Sequence, residues 1–308
     1  MDQNNIISLK KQNETIIVNK KIIIPFEKSE LESQHSFIKY LHDHNIKVAN
    51  IISLTKKGDY YYEEQEFIKS DNSKISTDEL ILTIAKFHNA SEKYDKPLLK
   101  QKVYSCKFGC NNVELNHLLL GFCEKYYIYP KESLKKKYNL IEKHNMNIIT
   151  ELEKKYDNCY TYFLNNYNIS NCIIHNDITS NNVIKNDKGI YLIDFDLAIK
   201  SSVYVDFIDC VVKRYYTINE LSKEFDKNQL NLEYYIYLYN KYNDNIKLDL
   251  LGSLCVLILK ILSFNFYVLL NEKNAKKFNK DINDINKFIN NVYEYYKEVK
   301  SDNKRCKY

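Results

Sequence analysis

The sequence predicts an α+β chain in which a small antiparallel sheet carrying one helix precedes a larger, mainly helical part. Three observations predict it. β-Branched and aromatic runs crowd the first seventy residues; such runs, punctuated by polar turns, read as strands. Apolar residues at helical spacing dominate after residue 71. Between them, residues 172–198, CIIHNDITSNNVIKNDKGIYLIDFDLA, interrupt the helices with short apolar strands that end in polar groups.

The small part reads in order. ETIIVNKKIIIPF carries two β-branched runs, with Asn19, Lys20 and Lys21 as the expected turn. SELESQHSFIKYLHDHNI places Leu31, Phe37, Ile38 and Leu41 on one helical face, with Ser29 as the expected cap. VANIISLTKKGDYYYEEQEFI gives two further strands, turning at Lys57, Gly58 and Asp59. The polar SDNSKIS then reads as a linker, so the domain expectation is a small lobe over 1–70 and a helical lobe over 71–308. In the second, TDELILTIAKFHNAS forms a helix with Thr77 expected at its N-cap. Helical patterns recur over 131–166, 203–214, 227–242, 247–271 and 275–300.

Composition narrows the function classes. The 308 residues carry a net charge of +5, 44% hydrophobic and 28% charged residues, 28 Tyr, 14 Phe and no Trp. These proportions are ordinary for a globular chain. No basic stripe suits a phosphate backbone, so no nucleic-acid partner is expected; Lys135, Lys136 and Lys137 read as a solvated helix face. The start MDQNNIISLKK lacks a secretory layout, which places the eight Cys in a reducing, cytoplasmic setting. Cys106, Cys110, His117 and Cys123 fit no common structural-zinc spacing and read as buried small hydrophobes. Residues 248–270 approach the length of a membrane span. Lys260 and Asn265 interrupt them, and a charge at mid-bilayer costs at least about 2.5 kcal/mol. A buried core helix, not a membrane span, is expected.

The chemistry lies in 172–198. Phosphoryl transfer from ATP to an alcohol needs a carboxylate to take or orient the hydroxyl proton, oxygen ligands for magnesium, and a cation for the remaining phosphate charge. Asp177 suits the first role. Asn182 and Asp194 suit the second, because Mg2+ takes oxygen ligands and usually one or two protein carboxylates.

His175-x-Asp177-x-x-x-x-Asn182 followed by Ile193-Asp194-Phe195-Asp196 resembles the signature of the aminoglycoside phosphotransferase and choline kinase superfamily, relatives of protein kinases. Within it, the chain looks most like the spore-coat kinase-like family. Leu192 to Ala198, Ala85-Lys86-Phe87-His88-Asn89-Ala90-Ser91, and Asp206 opening a helix that runs to Lys213-Arg214 agree in order and spacing. The resemblance implies a bilobal protein-kinase-like fold, with a catalytic loop at 175–182 and a metal-binding segment at 193–196. It implies ATP and Mg2+ as cofactors and a small hydroxylated molecule as acceptor. Sporulation and spore-coat partners come with the same likeness. Asp177 would then be the catalytic base, Asn182 and Asp194 the magnesium ligands, and His175 a brace for the loop. Asp206 would anchor the loop backbone. Asp196 either approaches a second metal or holds a hydrogen bond.

Two features depart from the pattern. The strand lysine that reaches the α- and β-phosphates is expected at or near Pro25, which carries no charge and no N–H. No glycine precedes Gly58, so a Gly-rich phosphate loop is missing. Lys20, Lys21 and Lys28 lie nearby, and Glu32 is the expected helix partner of such a lysine. These departures allow a second expectation, a catalytically impaired kinase-like protein serving as a coat component.

Overall fold

The computed structural model describes residues 6–8, 18–23, 28–57, 60–96, 98, 143–167, 172–212, 225–272 and 274–305. The cysteine and histidine group at 106–123, the lysines at 135–137, Pro25 and Arg214 lie outside them. By internal contacts the chain forms two compact units, residues 1–115 with 171–200, and residues 116–170 with 201–308.

The first unit is built on a four-stranded antiparallel sheet in the order β1-β2-β4-β3. Its strands are β1 (Ile6–Ser8), β2 (Val18–Ile23), β3 (Ile51–Lys57) and β4 (Tyr60–Gln65), with helix α1 (Lys28–Asp43) between β2 and β3. The turn expected at Asn19, Lys20 and Lys21 is instead strand interior. Asn19 pairs with Glu64, Lys20 with Glu63 and Lys21 with Tyr62. The backbone pairing with β4, continuous from Val18 to Ile23, keeps these residues in the strand. Ser29 falls inside the first turn of α1 rather than ahead of it. The helix buries Leu31, Phe37, Ile38 and Leu41, the apolar face read from its spacing. Glu32 is exposed, while Gln34 is 4% exposed.

Helix α2 (Thr77–Glu92) starts one residue earlier than expected. Ser76 is its N-cap: the Glu79 N–H donates to Ser76 Oγ, and the Ser76 N–H donates to the Glu79 carboxylate. This reciprocal pair needs Ser or Thr followed three residues later by Glu or Gln. Ser76 and Glu79 satisfy it; Thr77 is followed by Leu80. α2 buries Leu80, Ile81, Ile84 and Phe87. Phe87 and Phe37 meet edge to face, at 6.3 Å between centroids, and both rings reach Phe195.

The interrupting stretch folds as two small antiparallel pairs. β5 (Ile173–Ile174) pairs with β8 (Ile199–Lys200), and β6 (Val183–Asn186) with β7 (Gly189–Leu192). Asp187 and Lys188 close the second hairpin, and Gly189 takes φ +131°, a conformation that L side chains rarely adopt. β7 also joins the segment after α1: Val48 bridges Leu192, and the Leu192 N–H donates to the Lys47 carbonyl.

The second unit is helical. Its described helices are α3 (Lys143–Asn166), α4 (Tyr204–Val212), α5 (Lys227–Leu230), α6 (Leu232–Tyr242), α7 (Leu250–Asn271) and α8 (Ala275–Arg305). The single helix expected over 227–242 is broken at Asn231, whose φ is +50°; asparagine tolerates this left-handed conformation better than most residues. The run read as a core helix is α7, packed against α3, α4, α6 and α8. No helix among the described residues is long and apolar enough to cross a membrane. Lys260, the charge within α7, is 5% exposed and donates to the Asp209 carboxylate of α4. Asp249 caps α7 by accepting from the Gly252 N–H, and it accepts from the hydroxyls of Tyr167 and Tyr204. Burial pushes both phenols well above the ordinary tyrosine range, and the Asp249 carboxylate adds to this. The tyrosines of α6 divide. Tyr239 is fully buried against Phe207, whereas Tyr234 and Tyr237 are exposed.

Candidate active site

β5 is too short to hold its own position, and α2 supplies the hold. Ser91 Oγ donates to the Ile173 carbonyl at 2.8 Å and lies 2.8 Å from Cys172 Sγ. Cys172 Sγ donates to the His88 carbonyl at 3.6 Å. His88 and Ser91 are both fully buried. The FHNAS segment is therefore a core brace for the strand that leads into the 175–182 loop.

The loop begins at His175, also fully buried. Its Nε2 lies 2.8 Å from the Ile193 carbonyl, and its ring packs 4.7 Å from that of Phe195. A carbonyl only accepts, so Nε2 carries the proton. His175 thus ties the start of the 175–182 loop to the 193–196 segment. Asn176 takes φ +63° and donates from its side chain to the Leu197 carbonyl at 3.2 Å, a second tie between the same segments.

Asp177 and Asn182 meet directly. The Asn182 side-chain amide donates to the Asp177 carboxylate at 2.8 Å and to the Asp177 carbonyl at 3.0 Å. The loop between them is closed by the Thr179 N–H to the Asp177 carbonyl and the Asn182 N–H to the Thr179 carbonyl. Spending the donor end of a planar carboxamide on Asp177 turns its oxygen the other way, as a metal ligand requires. The β6–β7 ladder continues one step past Val183 and Leu192, and the Ile193 N–H donates to the Asn182 carbonyl at 3.0 Å. Asp194 follows immediately. It is exposed and held at φ 62°, ψ 66°, a region that non-glycine residues enter rarely and that concentrates at functional sites.

Among the described residues no group of three or more His, Cys, Asp or Glu is placed to hold a metal ion. One carboxamide and one exposed carboxylate fit an ion that completes its octahedron with waters and phosphate oxygens. The backbone of Asp196 lies in the 3-10 turn Phe195–Leu197. Asp206 is fully buried in the first turn of α4, in the second unit.

A concavity beside Asp194 brings in residues that sequence reasoning did not select. It is lined by Gln34 and Ile38 of α1, Ala49, Glu63 and Gln65 of β4, and Ile193, Asp194 and Phe195. Glu63 is 6% exposed, and His35 Nε2 lies 2.7 Å from its Oε2. Glu63 and Gln65 are two apart on one strand, so they share a face of the sheet. YYYEEQ alone does not tell which of its two glutamates turns inward; only the register does. A further ion pair, Lys185 of β6 to Glu79 of α2 at 2.6 Å, ties the hairpin to that helix. The Lys185 ammonium and the cap bonds to Ser76 hold the Glu79 carboxyl down to about 2.

No protein-family model and no curated protein matches the chain. Solved structures do match. An amicoumacin kinase, solved with AMP-PNP, Ca2+ and Ami, aligns at TM-score 0.52 and 14% identity, over 88% of this chain and 81% of that one. An ethanolamine kinase of Plasmodium vivax aligns at 0.49 and 16%, over 88% and 77%. A spectinomycin phosphotransferase, solved with ADP and spectinomycin, aligns at 0.48 and 13%, over 94% and 92%. At such identities the likeness is one of fold alone, and the alignment with the amicoumacin kinase carries it: the chain has a kinase-like α+β fold.

Proposed function

We propose that this chain is an ATP- and magnesium-dependent phosphotransferase acting on the hydroxyl of a small molecule. The observation that carries the reading is the Asp177–Asn182 hydrogen bond in a loop tied to Asp194. It joins a carboxylate and an oxygen ligand in one rigid turn and sets a second carboxylate beside them. Mg-ATP, when bound, supplies the phosphoryl group and the charge neutralisation of its transfer.

The chain's own residues do the rest. Asp177 orients the acceptor hydroxyl and takes its proton. Asn182 holds Asp177 in its rotamer while offering its oxygen to the metal, and Asp194 offers a carboxylate to the same ion. His175 fixes the spacing of the two segments. For Asp206 and Asp196 the roles of loop anchor and further polar group are what the sequence resemblance alone implies. The finer assignment, a spore-coat-associated kinase with coat proteins as partners, rests on the sequence resemblance alone. The competing reading is a kinase-like coat component without turnover, favoured by the absence of glycine before Gly58.

Thermal unfolding with and without Mg-ATP tests the proposal. A ligand at a hundred times its dissociation constant adds about 2.7 kcal/mol, so millimolar Mg-ATP is expected to raise Tm by several degrees. ATP-dependent phosphate release should vanish in Asp194→Asn. No Tm shift at millimolar Mg-ATP would overturn the reading. A Tm shift without any Asp194-dependent turnover would favour the coat component.

A further inference from the structure

Leu232, Ile236 and Tyr239 of α6, with Asn243 just after it, recur at helical spacing and are buried. They form its core side, and the opposite side should be polar. It carries tyrosine instead. Among the described residues five large apolar side chains are exposed, and three of them are Tyr234, Tyr237 and Tyr242, at 40%, 62% and 39%. The other two, Ile52 and Phe67, belong to the first unit. A single exposed tyrosine needs no explanation, but several on one helix make the kind of patch that proteins use for contacts. Tyrosine is also enriched at interfaces.

Charge identifies what would cover the patch. Glu233, Tyr237 and Lys241 are four residues apart, so they form one stripe along the helix, and all three are exposed. The acid lies one turn before the ring and the base one turn after it. Acid first and base last also suit the helix's own dipole; the exposed ring midway between them makes the stripe self-complementary. Turned end for end about Tyr237, a second α6 sets its base against Glu233 and its acid against Lys241. A parallel copy would set like charges together. Both ends of the stripe have a neighbour: Glu233 Oε1 accepts from the Tyr295 hydroxyl of α8 at 3.1 Å, and the Lys241 ammonium lies 5.5 Å from the Tyr242 ring centroid.

We propose that this face is a homodimer contact, in which α6 packs antiparallel on α6 of a second copy about a two-fold axis at Tyr237. Tyr234 and Tyr237 form its centre, and two Glu233–Lys241 pairs form its ends. The tyrosines supply the burial. The charge pairs, exposed at the rim, fix direction and register rather than affinity. A helix of eleven residues is about 16 Å long, so two of them bury less than the roughly 1,200 Å2 at the lower edge of a standard interface. The dimer is therefore weak and forms as concentration rises. It is independent of phosphoryl transfer.

Sedimentation velocity from micromolar to millimolar protein tests the contact, with Tm measured on each sample. The wild-type mass should rise toward twice that of the monomer across this range. Tyr237→Ser, Glu233→Lys and Lys241→Glu should each raise the dissociation constant at least about tenfold, the last two because every dimer then holds two like-charge contacts. Each should keep the wild-type Tm, since only exposed side chains change. The double variant Glu233→Lys with Lys241→Glu should dimerise as wild type does. So should an equimolar mixture of the two single charge variants, in which each supplies the charge that the other lacks. A wild type that stays monomeric at millimolar concentration overturns the proposal. Undiminished association in Tyr237→Ser does so too, by placing the contact elsewhere, as does failure of either the double variant or the mixture to recover. A fall in Tm common to the three single variants overturns it by showing that this face serves the fold.

Discussion

The side-chain amide of Asn182 donates at once to the carboxylate and the carbonyl of Asp177, at 2.8 and 3.0 Å. One side chain therefore closes a loop, fixes the rotamer of an acid and orients its own oxygen. Removing a group with several roles in one unit costs more than any one of its contacts.

Asn182→Ala should lower turnover at least about a hundredfold, the lower range for loss of positioned general-base catalysis. It should also cost roughly 1–3 kcal/mol of stability, because Asn182 is largely buried and its partners lose their donor. Phosphate-release kinetics and urea unfolding check the two effects separately. Turnover within threefold of wild type would remove Asn182 from the site.

Ser91→Ala should cost about 1–3 kcal/mol, since the Ile173 carbonyl loses a buried donor. The loss should concentrate in β5 and the loop it delivers. Hydrogen exchange should therefore rise at residues 173–177 before it rises in α7, and a uniform change would contradict the bracing role.

Glu79 titrates at about 2, chiefly because the Lys185 ammonium bonds its ionised form. The sign follows: a depressed carboxyl stabilises the fold above its unfolded value, near 4.5, and loses that contribution as pH falls through about 2. The Glu79 carboxyl resonance should move with a midpoint near 2. In Lys185→Met the midpoint should rise toward the ordinary carboxylate range.

The Lys260–Asp209 pair is buried in the helical unit. Lys260→Met should destabilise by about 3–5 kcal/mol, the usual cost of stranding one buried charge. The double change Lys260→Met with Asp209→Leu should recover most of that loss, and denaturant midpoints of the three proteins check it.

Much of this arrangement was readable in the amino-acid order, and for identifiable reasons. Elements with long apolar periodicity, such as α2, α7 and the Leu31–Leu41 face of α1, announce themselves because burial dictates their spacing. The order of the polar groups from His175 to Asp194 was visible because loop chemistry needs particular side chains. The errors fall where pairing decides. Asn19-Lys20-Lys21 reads as a turn until Glu63, Tyr62 and Glu64 stand opposite it. Thr77 competes with Ser76 until Glu79 reaches back. Asn231 shows nothing in sequence that marks it as a helix break. Glu63, in the wall of the concavity, was missed because a two-residue period does not say which face of a strand turns inward.

The left-handed backbone at Asp194 has a practical consequence for anyone preparing an inactive control. Alanine there would add a conformational penalty to the loss of charge, so a dead protein could simply be a distorted one. Asparagine tolerates that twist as aspartate does and keeps one oxygen, so the change is confined to the charge and to one acceptor replaced by an N–H donor. Glycine would relax the twist and loosen the segment. Of the three replacements, only the amide gives a null whose silence can be interpreted.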